Sequence, residues 1–246
     1  MNAPPSTFGA ACVSSVAQTG SFTIGGTKVT TGLTELQLGA TGTADDNSTV
    51  IVPATDGRTL VSDTVTVPGG LLGLELPEDG AGLGAVLNRL LSGPPLGVQA
   101  TVELAGLPSD FDGGAALGSG GSIVTLPVRV HLQNAILGSR CYIGSAKDPI
   151  LLKPMLQTAP ENISTALFSG GFIVGLTATL GDDTFTVPEA HGCGPLNLLD
   201  KVINAKLGLP SASGANHLVL SDARLSVALT QQGGQVLHDA WHAAAQ

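Results

Sequence analysis

Alternation with a period of two residues recurs along this chain and commits it to sheets. In 98–104, Val98, Ala100, Val102 and Leu104 share one face, and Gln99, Thr101 and Glu103 the other. In 125–132, Leu126, Val128, Val130 and Leu132 oppose Thr125, Arg129 and His131. In 172–180, Phe172, Val174, Leu176, Ala178 and Leu180 oppose Thr177 and Thr179, and in 223–230 Leu225, Val227 and Leu229 oppose Arg224 and Ser226. Successive side chains of a strand point to opposite faces, so each pattern predicts a half-buried antiparallel strand. Shorter runs at 20–24, 27–31, 49–53, 59–67, 140–144 and 150–156 predict further strands.

Helical periodicity is confined to short stretches. Leu83, Val86, Leu87, Leu90 and Leu91 follow the spacing of one helix face, and Gly93-Pro94-Pro95 stops the run. Leu196, Leu199, Ile203 and Leu207 form a second stripe, which predicts a helix over 196–207 with Pro195 at its first position and Gly208 and Pro210 ending it. Residues 235–246 form a third short helix or a loose tail. With 34 Gly and 15 Pro, turns are plentiful, and with 3% aromatic residues the core must be built from Val, Leu, Ile and Ala. The expected fold is all-β: a sandwich of antiparallel strands with two or three short helices. Residues 1–19 are expected as an N-terminal segment, 20–231 as one sandwich domain, and 232–246 as the tail.

An internal echo accompanies this pattern. Asp63-Thr64-Val65-Thr66-Val67-Pro68 returns as Asp183-Thr184-Phe185-Thr186-Val187-Pro188, each followed by a Gly-rich loop, a helical stripe, a Pro-containing turn and a strand. The spacing predicts a duplication with pseudo-repeats at about 49–105 and 171–229, longer than any solenoid repeat.

Charge narrows the choice of partners. Ten Lys and Arg against 19 Asp and Glu give a net charge of −9, with no basic run to hold nucleic acid or an anionic membrane surface. No apolar run reaches transmembrane length. The start, Met1-Asn2-Ala3-Pro4-Pro5-Ser6-Thr7, has neither a charged nor an apolar stretch and reads as a mature N-terminus; no signal peptide is visible, and export has to be argued from elsewhere.

Catalytic and metal motifs are sparse. His238-Asp239-Ala240-Trp241-His242 places two histidines four apart, a spacing that lets His238 and His242 share a metal on a helix, but Asp is short for a general base and no third ligand follows. Asp110-Phe111-Asp112-Gly113-Gly114 resembles part of a calcium loop, with Asp110 and Asp112 as ligands, yet lacks the third oxygen ligand and closing Glu of an EF-hand. No G-x-S-x-G marks a nucleophile; His131, His191 and His217 leave room for a Ser/His/acid site whose members are distant in sequence, although His131 sits on the polar face of a strand. The loop 105–121, rich in Gly, Asp and Ala, is expected to be mobile and a candidate binding loop. Asn47 and Asn162 stand in glycan-acceptor triplets.

Three cysteines remain. His191, Cys193, Cys141 and Cys12 lack the paired spacing of structural zinc. A Cys141–Cys193 bridge would close a loop of about 50 residues and leave Cys12 as a buried thiol or as a link to a second chain.

Within residues 122–229 several short motifs fall together: Arg140-Cys141-Tyr142-Ile143-Gly144-Ser145 followed by Asp148-Pro149-Ile150, then His191-Gly192-Cys193-Gly194-Pro195-Leu196, then Gly208-Leu209-Pro210-Ser211 and Gly214-Ala215-Asn216 before a final strand. This half of the chain resembles a family of small secreted actinobacterial proteins to which no activity is assigned. The resemblance implies export after signal cleavage and a bridge between Cys141 and Cys193, and it supplies no cofactor or active site. Cys12 and the histidine-containing tail depart from the family pattern. The functional expectation is a secreted, non-enzymatic binding or structural protein of the cell surface, without a cofactor, its partner being a cell-surface polymer, a lipid or a protein, and a dimer through Cys12 being one arrangement. The alternative is a secreted hydrolase with a Ser/His/acid site in a concave pocket.

Overall fold

The computed structural model describes residues 7–43, 49–70, 96–168 and 171–229. Its strands are β1 (Thr7–Ala17), β2 (Thr19–Ile24), β3 (Thr27–Thr31), β4 (Thr34–Thr43), β5 (Thr49–Pro53), β6 (Leu60–Ser62), β7 (Val65–Val67) and β8 (Val98–Leu104). After a short helix, α1 (Gly113–Ala116), come β9 (Leu126–Asn134), β10 (Gly138–Ile143), β11 (Ile150–Leu152), β12 (Met155–Leu156), β13 (Glu161–Phe168), β14 (Gly171–Asp182) and β15 (Ala190–His191). A 3-10 turn (Pro195–Asn197), α2 (Asp200–Leu207) and β16 (His217–Leu229) complete the described chain.

The strands form two antiparallel sheets packed face to face, the expected sandwich. The larger has ten strands in the order β12-β14-β16-β1-β4-β5, with β13 beside β14, β2 and β3 continuing from β16, and β6 beside β4. The smaller has six in the order β15-β10-β9-β8-β7, with β11 also on β9. The strongest alternations deliver their apolar faces to the core: Leu126, Val128, Val130 and Leu132 of β9, Leu176, Ala178 and Leu180 of β14, and Leu225 and Val227 of β16 are all buried. Phe22 and Phe185 supply an aromatic contact, their ring centroids 5.6 Å apart, in a core otherwise made of aliphatic side chains.

Two expected strands are each broken between the sheets. The run 59–67 splits into β6, on β4 of the larger sheet, and β7, on β8 of the smaller. Asp63 makes the corner: its Oδ2 accepts the Leu33 backbone N–H at 2.9 Å, while Ser62 Oγ bonds both N and O of Val102 at 3.0 Å. The run 150–156 splits in the same way into β11, on β9, and β12, on β14. There Asp182 Oδ2 accepts the Lys153 N–H at 2.6 Å and Oδ1 binds Thr184, which fixes the second corner. A strand that changes sheets needs its freed main-chain groups satisfied at the bend, and a carboxylate acceptor does this.

Three expectations need correction. The boundary at residue 20 does not hold, because β1 lies inside the larger sheet, paired with β4 on one side and β16 on the other. The helix predicted over 196–207 begins only at Asp200. Gly194 (φ 71°), Leu196 (φ 53°) and Asn197 (φ 62°) adopt left-handed backbone, and Asp200 Oδ1 accepts the Cys193 N–H at 2.7 Å, so the turn after the cysteine displaces the first helical turn. Leu196 is thereby left 91% exposed instead of joining the stripe, while Ile203 and Leu207 are buried. The loop 105–121 is anchored rather than loose: Ser109 and Thr125 exchange backbone hydrogen bonds at 2.8 and 2.9 Å, and Ala115 and Ala116 of α1 are buried in the core.

The two echoed hexapeptides take up different surroundings. Asp63–Pro68 carries β7, paired with β8, whereas Asp183–Pro188 carries only the bridge Val187–Ser211, and β16 beyond it belongs to the larger sheet. The stripe at 83–91 and the segment 232–246, with its candidate ligands His238 and His242, lie outside the described residues.

Cys141 on β10 and Cys193 after β15 form a disulfide, both residues fully buried. The bridge spans a separation of 52 residues, and constraining a loop of that length in the unfolded chain is worth about 4 kcal/mol. The double replacement Cys141→Ala with Cys193→Ala is expected to lower the unfolding free energy in urea by about that amount. A loss under about 1 kcal/mol would show that the bridge constrains little.

Candidate functional site

The inward side chains of the two sheets do not fill the space between them. A cavity of about 130 Å³ remains. The smaller sheet contributes Val98, Ala100 and Val102 of β8 and Leu126, Val128, Val130 and Leu132 of β9. The larger contributes Phe22 and Ile24 of β2, Val29 of β3 and Leu218 and Leu220 of β16. Leu60, Val65 and Leu152 reach it from the two corners, and Ile203, Lys206 and Leu207 of α2 close one end.

The residue types allow this geometry without dictating it. Val, Ala and Leu on alternating strand positions make smooth inner faces, and no aromatic ring among the described lining residues except Phe22 projects between them. Side chains that line an unfilled apolar cavity forgo the contacts that a filled core would give them. A cavity of comparable size in another protein stays dry and takes up benzene.

Only two ionisable side chains are among the described lining residues, Asp63 and Lys206. Asp63 is exposed and its Oδ2 is engaged by the Leu33 N–H. Lys206 is half-buried on α2, and its ammonium donates to the Gly70 carbonyl just past β7. Burial lowers the Lys206 pKa from the ordinary lysine value. Leu207 packs against Gly25, where an added Cβ would collide with the Leu207 carbonyl oxygen, so the end of α2 abuts the turn before Thr27 of β3. Asp63 packs against Gly32, just after Thr31 at the other end of β3. The two charges are therefore held at opposite ends of a strand whose four steps cover about 13 Å.

The outer face of the smaller sheet carries a separate polar cluster. Arg129 donates to Glu103 Oε2 through Nη2 at 2.8 Å and Nε at 3.1 Å, and its guanidinium lies 4.3 Å from the centroid of the Tyr142 ring. The His131 and Tyr142 rings stack with centroids 4.4 Å apart. His131 is on the polar face of its strand, as its position predicts, but it is buried beneath Tyr142 rather than set on the surface. Its Nε2 lies 3.1 Å from the Ser139 carbonyl oxygen, and its Nδ1 lies 3.3 Å from Glu103 Oε1 and 3.2 Å from the Gln133 amide. His191 Nε2 lies 3.0 Å from the Gly144 carbonyl oxygen. The ring nitrogens of His131 and Nε2 of His191 thus have partners within the sheet, and no histidine is among the described residues that line the cavity.

The remaining sequence candidates are placed as follows. Asp112 caps α1, its Oδ1 accepting the N–H groups of Gly114 and Ala115 at 2.8 and 3.0 Å. Asp110 has left-handed backbone and is bonded by the Ser109 hydroxyl at 2.7 Å, which together with Thr125 holds its carboxyl below the usual range. Among the described residues no three of His, Cys, Asp and Glu converge as a metal site. Cys12 is a free, half-buried thiol on β1, its pKa raised by burial. No described helix is long and apolar enough to cross a membrane. Sequence reasoning did not single out Lys206 or the cavity; the available signal was the near absence of large rings in a chain with so many aliphatic residues.

No family model, curated protein or solved structure matches the chain.

Proposed function

We propose that the chain is an exported, non-enzymatic binding protein that holds an apolar ligand between its two sheets. The cavity carries this reading. Its lining is mostly aliphatic, and its two ionisable groups, Lys206 and Asp63, stand at opposite ends of β3. Export is supported by the buried Cys141–Cys193 bridge, since disulfides persist in oxidising compartments. Among the partners open to a cell-surface protein, a lipid-like molecule suits such a lining best. The hydrolase alternative has less support, because His131 and His191 are engaged by the sheet on which they sit.

Titration with a solvatochromic naphthalene dye tests this reading. Saturable binding of one dye per chain, with a blue-shifted emission that octanol displaces, is the expected result. Emission that rises without saturation, or that octanol leaves untouched, would refute an internal apolar site.

A further inference from the structure

We propose that the ligand is a single-chain amphiphile with an anionic headgroup, its tail between the sheets and its head at Lys206. This rests on the cavity reading above and adds the chemistry and direction of the ligand. The lining offers one cation among the described residues, and α2 sets it where that helix meets the Gly70 turn and the start of β3. An ammonium has three N–H donors, and among the described residues Lys206 makes one hydrogen bond, to a neutral carbonyl, and no ion pair. Two donors are left for an oxyanion. The carboxylate of Asp63 stands at the far end of β3, where it would repel an anionic head and so fixes which end the head takes.

The size of the cavity, about 130 Å³, favours one chain over a bulky ring system. Inward residues of β7, β8 and β9 line it from the smaller sheet and inward residues of β2, β3 and β16 from the larger, with Lys206 and Asp63 at the two ends of β3. A medium-chain acyl group suits such a lining, with its carboxylate at the Lys206 end. Burial without a counter-charge disfavours the Lys206 ammonium, and an incoming carboxylate would relieve that penalty.

Calorimetric titration of the full chain with octanoate and with octanol separates the two claims. Octanoate should bind about tenfold more tightly than octanol, the worth of a charge-assisted hydrogen bond at a half-buried site. Lys206→Met keeps the aliphatic stem and should abolish that difference by weakening octanoate alone, while Lys206→Arg should retain it. Equal affinities in the unmodified chain, or a Lys206→Met change that weakens both ligands alike, would overturn the headgroup assignment and leave the apolar site standing. Failure of the unmodified chain to bind either ligand would overturn both.

Discussion

Ala100→Phe is expected to empty the protein of ligand without unfolding it. Ala100 lies on β8, paired with Val65 of β7 and Leu132 of β9, and its methyl group faces the cavity. A phenyl ring there occupies much of a space of about 130 Å³. Excluding about four methylenes of a bound chain removes about 3 kcal/mol of transfer free energy, so octanoate and dye affinities should fall about a hundredfold. The same ring supplies contacts that the empty cavity lacks, so the melting temperature should hold or rise. Thr101→Phe is the matched control. Thr101 is the next residue of β8 and points to the outer face beside His131, where its hydroxyl meets Thr64 at 2.8 Å. It should leave binding unchanged. A ligand that still binds Ala100→Phe with full affinity sits somewhere other than between the sheets.

The contrast between those two neighbours shows how much of this protein is legible in its sequence. Period-two alternation marks which side chains of β8, β9, β14 and β16 point inward, because burial selects one face of each strand. It does not say which sheet a strand joins. The runs at 59–67 and 150–156 each read as one strand, and only the bonds of Asp63 and Asp182 divide them between the sheets. An aspartate that terminates a strand at a corner looks, in sequence, like any turn aspartate. β1 is hidden for a different reason. Its inward positions include Ala11, Val13, Ser15 and Ala17, a mostly small set that gives little hydrophobic signal, yet two flanking strands satisfy its backbone on both edges.

The cavity is less legible still. Its lining uses the same aliphatic residues that would fill a solid core, and whether they meet or leave a gap depends on the separation of the sheets rather than on their identity. The short motifs around Cys141, Cys193 and Asn216 describe construction. Cys141 and Cys193 form the bridge, Ser145 and Asp148 close a turn through a 2.9 Å backbone bond, and Gly192 lies where a Cβ would collide with the Arg140 carbonyl. Lys206, the residue with the most to offer a ligand, lies between two of these motifs and within neither.

Asn216→Leu is expected to be the most damaging single change. Asn216 is fully buried, and its side chain fastens three separate stretches of chain. Nδ2 donates to the Ala212 carbonyl at 2.8 Å and the Phe185 carbonyl at 3.1 Å, while Oδ1 accepts the Gly25 N–H at 3.0 Å. These join the turn before β16, the segment after β14 and the hairpin between β2 and β3. Leucine keeps the branched shape, with larger end groups, but offers neither donor nor acceptor, so three main-chain groups lose their partners at about 1–3 kcal/mol each. The sum is about 5 kcal/mol, comparable with the whole stability of an ordinary domain. Urea denaturation at neutral pH should show a fully or largely unfolded chain, and Asn216→Asp, which sets a buried carboxylate against the Phe185 and Ala212 carbonyls, should be no more stable. A loss for Asn216→Leu under about 2 kcal/mol would mean that water replaces the lost bonds. Gly25 also abuts Leu207, next to Lys206, so the same hairpin that Asn216 secures sets the end of the cavity where the headgroup is placed. In any Asn216 variant that remains folded, the preference for octanoate over octanol should weaken along with stability, whereas Ala100→Phe removes binding and leaves the hairpin intact.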